Sequence, residues 1–318
     1  MKLVIQIPCL DEEETLPATL AGLPREVPGV DVVEWLVIDD GSTDRTVEVA
    51  RGHGVDHIVS HRSNRGLAAA FLSGLQASLE AGADIVVNTD ADNQYDGSCI
   101  GDLIQPVLAG ADMVVGERPI DSISEFSGMK KRLQRLGSWV VRKFSRVDVG
   151  DAASGFRAFS RDAALRLQVY GRYSYTMETI VQARAEGLSV VGVPIRTNPQ
   201  TRPSRLVKST PQYVRRSAQT IVRSFAIYYP FRFFLIIGMI PAVLGLALLL
   251  RWLAYYFFID DVYRDRLPSL LTGAVLTIVG VQIWMVGFLG DLQAASRRLL
   301  AEERVRRRRD EIEPPAAG

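Results

Sequence analysis

The segment NTDADNQYDG, residues 88–97, places three aspartates directly after an apolar run that reads ADIVV. Burying an unpaired carboxylate is costly, and neighbouring carboxylates repel one another. Asp90 and Asp92, two residues apart after a predicted strand, suit Mg²⁺ or Mn²⁺ held by one or two carboxylates together with substrate phosphates. The spacing also leaves open a solvated loop whose acids cap the following helix.

A calcium-binding loop is excluded for the same segment. Such a loop has the pattern D-x-[DN]-x-[DN]-G between two helices, with a glycine at its sixth position. Counting from Asp90, the sixth position is Tyr95, and the segment follows a predicted strand rather than a helix. The aspartates therefore need another explanation.

A second acidic segment, IDDGSTDRTVEVA, covers residues 38–50. Asp40, Gly41 and Ser42 have good turn chemistry, and Ser42 or Thr43 is suited to cap the helix predicted next. The functional interpretation is that Asp39 and Asp40 accept hydrogen bonds from the base or ribose of a nucleotide. The two interpretations are compatible.

Apolar runs alternate with amphipathic segments over the first 200 residues, a pattern that predicts a mostly parallel sheet with helices on both faces. The acids stand at the carboxyl ends of the first, second and fourth predicted strands, where ligands of such sheets bind: Asp11 and Glu12, Asp39 and Asp40, Asp90 and Asp92. The predicted strands and helices are 3–7, 35–39, 57–60, 84–88 and 112–116, and 13–22, 43–52, 66–81 and 98–109.

Several functions are excluded by what the sequence lacks. The turn after the first strand, IPCLDEEETL, contains no glycine, so a G-x-G-x-x-G site for NAD or FAD is absent, as is a P-loop. A formal net charge of +1 gives no reason to expect a nucleic-acid partner. Cys9 and Cys99 lack metal-ligand spacing and are expected to be free thiols in a reducing compartment.

Two charge-free apolar stretches, residues 233–250 and 270–289, reach the length needed to cross a bilayer. Arginines flank both outer ends, while the link DDVYRDR is mixed in sign. By the positive-inside rule, the catalytic domain and both termini are expected to be cytoplasmic and the chain to be a multi-pass protein of the cell (inner) membrane. The lipid-facing surface left by two spans leads us to expect a homo-oligomer.

Seven motifs occur in the order typical of family 2 glycosyltransferases: IPCLDEEETL, VIDDGSTDRT, NRGLAAAFLSGL, DADNQ, GERP, DAASGFRAFSR and TRPSRL. The sequence most resembles the dolichol-phosphate mannose synthase and polyprenyl-phosphate glycosyltransferase group, over about residues 1–210 and in its two C-terminal spans. The resemblance implies the α/β GT-A fold, a divalent metal, a nucleotide-sugar donor and a polyprenyl-phosphate acceptor.

The resemblance also implies residue roles. Asp90 and Asp92 would bind the metal, with Asp92 and Gln94 at the catalytic centre and Gln94 next to the sugar. The expected nucleotide-sugar contacts are Pro8, Asp11, Glu12, Asp39, Asp40 and Asp90, with Arg202 and Arg205 forming a basic flap. The expected contacts to the acceptor phosphate are Arg118, Arg132, Ser154 and Arg157.

The expected reaction is an inverting transfer of a hexose, from a GDP-mannose or UDP-glucose type of donor. A phosphate monoester is already largely dianionic at neutral pH and needs no general base. Asp151, which precedes ASGFR, is either a base or an orienting group. The alternative function is extension of a polysaccharide or glycolipid by the same fold, although two spans and the absence of a Q-x-x-R-W motif disfavour a processive synthase.

The sequence predicts four regions. Residues 1–203 form the cytosolic catalytic domain, and residues 204–232 are basic and amphipathic. Residues 233–290 hold two transmembrane helices, at about 233–252 and 269–290. Residues 291–318 form a basic cytosolic tail with a disordered end.

Overall fold

The structure is a computed structural model that describes residues 1–119, 137–139, 142, 147–171, 175–199, 210–258 and 267–312. The chain divides into two units, each packed within itself. The first unit contains Met1–Ile221 and Ala301–Gly318, and the second contains Val222–Leu300.

Strands and helices alternate through the first part of the chain, as the sequence predicts. The described strands are β1 (Lys2–Cys9), β2 (Val32–Asp39), β3 (His57–Ser60), β4 (Ile85–Asn88), β5 (Met113–Glu117), β6 (Arg157–Ser160) and β7 (Val190–Pro194). The described helices are α1 (Leu16–Gly22), α2 (Thr46–Gly52), α3 (Leu67–Glu80), α4 (Ile100–Leu108), α5 (Arg161–Arg166), α6 (Thr176–Ala185), α7 (Thr210–Tyr228), α8 (Pro230–Phe258) and α9 (Leu267–Ile312).

The strands form one sheet in the order β3-β2-β1-β4-β6-β5-β7. The pairs β1–β2, β1–β4, β2–β3 and β5–β7 are parallel, whereas β6 is antiparallel to both β4 and β5. The predicted mixed, mostly parallel sheet is confirmed. Because β2, β1 and β4 are neighbours and parallel, their carboxyl ends lie side by side at one edge.

The central strands are apolar because both of their faces are buried, as is usual for parallel strands. Leu3, Ile5 and Ile7 of β1 are fully enclosed, and all four residues of β4 are buried. Helix α3 covers this part of the sheet with Phe71 and Leu75. This packing holds the ends of β1, β2 and β4 in place for the loops that follow them.

Two local expectations were wrong. Helix α2 begins after Arg45, and neither Ser42 nor Thr43 caps it, because both side chains bond instead to Asp11 in the loop after β1. Strand β6 was not predicted, since its RAFS sequence is only four residues long. Arg157, which was expected to contact the acceptor phosphate, is the first residue of β6.

The second unit contains two long helical segments, in α8 and α9. Both helices are long and apolar enough to cross a membrane, by length and composition alone. Glycines let them approach closely, because a Cβ on Gly280 would lie 2.7 Å from the Ala242 Cβ. Trp284 Nε1 donates a hydrogen bond to the Leu235 carbonyl oxygen at 3.1 Å. The buried small residues of α9 recur every seven residues, a spacing that keeps one seam facing a partner helix: Gly273, Gly280, Gly287 and Ala294.

Candidate active site

The loop after β1 is tied to the loop after β2 by hydrogen bonds from backbone N–H groups and hydroxyls. The Asp11 backbone N–H donates to Ser42 Oγ at 2.9 Å. The Asp11 carboxylate accepts from the Thr43 backbone N–H at 2.7 Å and from Thr43 Oγ1 at 3.2 Å. Asp11 itself adopts φ of 54°, a left-handed conformation that aspartate tolerates better than most residues. Local turn chemistry therefore orients this carboxylate.

Glu12 and Pro8 complete the contribution of the first strand. The Glu12 backbone N–H donates to Thr46 Oγ1 at 2.8 Å, and Glu12 Oε2 accepts from Thr15 Oγ1 at 2.6 Å. Pro8 is a buried residue of β1, in register with Ile38 of β2. We call residues 10–15 and 40–46 the acidic loops.

Asp39 and Asp40 are both buried at the end of β2. Asp39 Oδ1 accepts a hydrogen bond from the Ser42 backbone N–H at 2.9 Å. The Asp40 carboxylate accepts from the backbone N–H groups of Arg65 at 2.9 Å and Gly66 at 2.8 Å. His61 Nδ1 lies 2.7 Å from Asp40 Oδ1. Asp40 thus anchors the segment that leads into α3, where a negative charge is favoured by the helix dipole.

The loop after β4 carries the predicted metal-binding aspartates. Asp92 Oδ1 accepts from the Gln94 backbone N–H at 3.1 Å. The Gln94 carbonyl oxygen accepts from the Asn198 backbone N–H at 2.9 Å, and Asn198 Nδ2 donates to the Asn93 carbonyl oxygen at 3.0 Å. The loop is therefore held in place by the segment that follows β7.

Asp90 is half-buried just beyond the end of β4. Burial and the neighbouring Asp92 raise the pKa of Asp90 to about 7, while the positive charges of Arg118 and Arg157 oppose this rise. Two acids and two arginines thus meet at the end of β4. Such a group of mutually perturbed charges is typical of functional sites.

Asp90 and Asp92 are chemically suited to a divalent metal. Carboxylate oxygens are the ligands that Mg²⁺ and Mn²⁺ prefer, and a site of this kind is completed by substrate phosphates and water. In the part of the chain that the structure describes, no group of three histidine, cysteine or acidic side chains could hold a metal alone. Two carboxylates fit a metal that arrives with, or shares, a phosphorylated ligand.

Arg118 and Asp151 form a buried, two-point ion pair. Arg118 Nε donates to Asp151 Oδ2 at 2.6 Å and Nη2 donates to Oδ1 at 3.2 Å. Asp151 is almost fully enclosed, and the Arg118 side chain is 9% exposed. Burial opposes the charge of Arg118, but the adjacent Asp151 carboxylate raises the pKa of Arg118 above its ordinary value. Of the two roles open to Asp151, this geometry favours orientation over proton transfer.

Ser154 and Arg157 lie inside the protein rather than at a surface. Arg157 Nε donates to the Ser154 carbonyl oxygen at 2.8 Å, and its Nη atoms donate to Thr179 Oγ1 at 2.7 Å and to the Ala152 carbonyl oxygen at 2.9 Å. Burial lowers the pKa of Arg157 to about 10, which leaves it charged at neutral pH. The geometry gives no support for direct phosphate binding by Arg157, because its side chain is completely enclosed.

The acids and arginines at the end of β4 act as one electrostatic unit, and we call them the charged cluster: Asp90, Asp92, Arg118, Asp151 and Arg157. Three other residues with expected roles, Arg132, Arg202 and Arg205, lie outside the residues that the structure describes.

The sequence reasoning missed four buried polar residues beneath the charged cluster. Gln6, Asn88 and Arg157 are in register across β1, β4 and β6. Gln6 Nε2 donates to Asn88 Oδ1 at 2.8 Å, and Asn88 Nδ2 donates to Tyr175 Oη at 2.7 Å. The sequence signal for Gln6 and Asn88 was one amide side chain in each of the otherwise apolar runs LVIQI and DIVVN. The missed residues are Gln6, Asn88, Tyr95 and Tyr175.

The sheet topology, together with paired aspartates at the end of β4 and arginines beside them, defines an α/β glycosyltransferase with the GT-A fold. Residues 4–167 match the model of glycosyl transferase family 2, and the chain belongs to that family. The resemblance seen in the sequence motifs is confirmed.

Three relatives are similar in sequence to this chain. An uncharacterised protein of Methanocaldococcus jannaschii is 33% identical over 203 residues, which cover 62% of this chain and 81% of the relative. Polyprenol monophosphomannose synthase of Mycolicibacterium smegmatis is 28% identical over 60% of this chain and 76% of the relative. UDP-N-acetylglucosamine–dolichyl-phosphate N-acetylglucosaminyltransferase of Methanococcus voltae is 30% identical over 60% of this chain and 83% of the relative.

A solved structure supports the fold. Glucosyl-3-phosphoglycerate synthase of Mycobacterium tuberculosis, crystallised with Mn²⁺, UDP-glucose and phosphoglyceric acid, superposes with a TM-score of 0.56. The match covers 71% of this chain and 79% of that one, at 22% sequence identity. At this identity the likeness establishes the shared GT-A fold.

Proposed function

We propose that this protein is a membrane-anchored, inverting glycosyltransferase that moves a hexose from a nucleotide sugar to a polyprenyl phosphate. The observation that carries the proposal is the charged cluster, in which two carboxylates suited to a metal lie beside two arginines. Such a site can hold the diphosphate of a nucleotide sugar through a metal and stabilise a second phosphate nearby. The relatives named for polyprenyl- and dolichyl-phosphate substrates support the choice of acceptor.

On the donor side, Asp90 and Asp92 would hold Mg²⁺ or Mn²⁺. When bound, the metal neutralises charge on the leaving nucleoside diphosphate. The acidic loops would receive the base and ribose, because amides and hydroxyls already fix their carboxylates in place. Gln94 would lie next to the sugar. The proposed nucleotide-sugar contacts are Pro8, Asp11, Glu12, Asp39, Asp40, Asp90, Arg202 and Arg205.

On the acceptor side, the attacking group is a phosphate that is largely dianionic near neutral pH. The protein must therefore hold an anion against an anionic donor, which requires fixed positive charge rather than a base. Arg118 supplies such a charge, and Asp151 sets the orientation of its guanidinium. We assign Arg132 to the same side. Ser154 and Arg157 are enclosed, and we assign both to the layer beneath it, where Arg157 adds positive potential.

The membrane arrangement follows from the chemistry of the acceptor. A polyprenyl phosphate keeps its tail in lipid and its phosphate at the surface, so its enzyme benefits from a membrane anchor. We propose that the candidate spans in α8 and α9 provide that anchor, with residues 1–203 and the tail 291–318 at the cytosolic face. Basic residues in 204–232 would favour an anionic headgroup layer.

A transfer assay tests the proposal directly. The full chain in detergent is incubated with undecaprenyl phosphate, Mg²⁺ or Mn²⁺, and one labelled donor at a time: GDP-mannose, UDP-glucose, UDP-galactose or UDP-N-acetylglucosamine. We expect one donor to give label in the organic phase, and addition of a chelator to abolish it. Metal-dependent hydrolysis of a donor without labelled lipid would keep the donor site and favour a polysaccharide or glycolipid acceptor. The absence of both transfer and hydrolysis would contradict the proposal.

A further inference from the structure

The peptide groups of Gly155 are held from both sides by buried side chains. The Gly155 backbone N–H donates to Tyr95 Oη at 2.9 Å. The Gly155 carbonyl oxygen accepts from Asn88 Nδ2 at 2.9 Å and from Tyr175 Oη at 3.2 Å. We call Asn88, Tyr95 and Tyr175 the Gly155 clamp. Its three members come from the end of β4, the loop after β4 and the start of α6.

The clamp is rigid because its two tyrosine rings are packed against other rings. Tyr175 stacks on Phe71 with ring centroids 3.9 Å apart, and Tyr95 stacks on Phe156 at 5.0 Å. Both tyrosines are buried, with Tyr175 fully enclosed. A hydrogen bond from such a ring can move only if the core around the ring moves, since close-packed interiors resist displacement.

Gly155 in turn lies directly against the Asp90 carboxylate. A Cβ at position 155 would stand 3.0 Å from both Asp90 carboxylate oxygens and 3.1 Å from Tyr175 Oη. These separations are shorter than ordinary van der Waals contact, so any larger residue would push the Asp90 carboxylate by several tenths of an ångström. The absence of a side chain at Gly155 therefore lets the Asp90 carboxylate lie against the backbone at this position.

We infer that Gly155 and its clamp are positioning residues that fix the Asp90 carboxylate for binding a divalent metal. The inference rests on the proposed function, because it assumes that Asp90 and Asp92 are metal ligands. Ligand orientation by groups behind the ligand is a general requirement of metal sites, and its loss typically lowers metal affinity about 10- to 100-fold. None of the four residues touches the metal in this scheme. They act through Asp90.

The decisive measurement is Mn²⁺ affinity rather than turnover. Free Mn²⁺ is followed by electron paramagnetic resonance during titration of the full chain in detergent, with UDP or GDP present. We expect Gly155→Ala to weaken Mn²⁺ binding by about tenfold or more. The matched control is Gly101→Ala, since a Cβ on Gly101 of α4 meets nothing within 4 Å. That control should bind Mn²⁺ as the wild type does.

A second pair of variants makes smaller changes to the core, so that a loss of Mn²⁺ affinity is not caused by misfolding. Tyr175→Phe removes only the hydroxyl that contacts Gly155 and Asn88 and retains the ring that stacks on Phe71. We expect Mn²⁺ affinity to fall about twofold to tenfold, because the Gly155 carbonyl oxygen loses one of its two buried hydrogen bonds. Tyr170→Phe is the control, because its hydroxyl contacts Gln168 at an exposed position.

The outcomes separate this inference from the proposed function. If the wild type binds Mn²⁺ and Asp92→Ala does not, while Gly155→Ala and Tyr175→Phe bind normally, the positioning role is wrong and the metal site stands. If Asp92→Ala binds Mn²⁺ as tightly as the wild type, the metal assignment fails and this inference fails with it. A loss of affinity in both variants, with thermal midpoints close to those of their controls, supports the inference.

Discussion

The acidic loops and the charged cluster hold carboxylates at the same edge of one sheet by different means. In the acidic loops, backbone N–H groups and hydroxyls bond to the carboxylates of Asp11 and Glu12. In the charged cluster, the Asp151 carboxylate is paired with Arg118, and Asp90 lies near two arginines. The comparison teaches that backbone N–H groups and hydroxyls can place a carboxylate whether it is partly exposed, as at Asp11, or enclosed, as at Asp40, whereas the charged cluster combines opposite charges.

The two regions should therefore respond differently to substitution. The largest expected effect is on activity in the charged cluster. Asp92→Ala removes a proposed metal ligand, and we expect transfer to fall at least about a thousandfold with the fold retained, since metal catalysis contributes several kcal/mol. Labelled lipid is counted as in the transfer assay. Asp31→Ala, at the exposed amino end of β2, serves as the control and should retain activity. Transfer by Asp92→Ala near the wild-type rate would remove Asp92 from the catalytic centre.

The next largest effect is on stability. Arg118→Ala leaves Asp151 buried without its ion-pair partner, and breaking a buried pair in this way costs about 3–5 kcal/mol of unfolding free energy. Urea unfolding of the full chain in detergent measures the loss. The control is Arg166→Ala, whose pair with Asp162 is more than a third exposed on both sides and is worth at most about 0.5 kcal/mol. Equal losses of unfolding free energy in the two variants would contradict the expected cost of breaking the Arg118–Asp151 pair.

Asp40 offers an intermediate case within the acidic region. Its enclosed carboxylate accepts from two backbone N–H groups at the start of α3, and an asparagine would present an NH₂ group to one of those donors. We expect Asp40→Asn to lower the unfolding free energy by about 2 kcal/mol, within the usual range for hydrogen bonds to charged groups. Asp11→Asn, which is more exposed, should cost less than about 1 kcal/mol. The reverse order of these two values would contradict the comparison.

The charged cluster should also show a pH dependence of stability that arises from Asp90. The pKa of Asp90 is raised to about 7, so the folded chain holds a proton that the unfolded chain releases above about pH 4. In a chelator, the contribution of Asp90 to the unfolding free energy therefore falls as pH rises from about 4 to 7. The wild-type value minus that of Asp90→Asn should fall over this range. A difference that is flat or rises with pH would show that burial does not raise the pKa of Asp90.

Much of the first unit could be predicted from local patterns. The periodic spacing of apolar residues predicted the bounds of β1 to β5 to within a few residues. The acids at the ends of β1, β2 and β4 were recognised from turn and strand signals. The motifs identified the family. The apolar stretches correspond to α8 and α9, because a charge-free run of about 20 residues is distinctive by itself.

What the sequence alone determined is thus β1 to β5, the two long apolar stretches, the family and the chemical types of the candidate residues. Only the tertiary structure decided that β6 inserts antiparallel between β4 and β5, that Arg118 pairs with Asp151, and that Asn88 and Tyr95 clamp Gly155. The reason is physical: periodicity and turn preferences act between near neighbours, whereas the hydrogen bonds to Gly155 join residues 60 and 67 positions apart. Such partners are chosen by the order of strands in the sheet, and that order depends on how all the elements pack together.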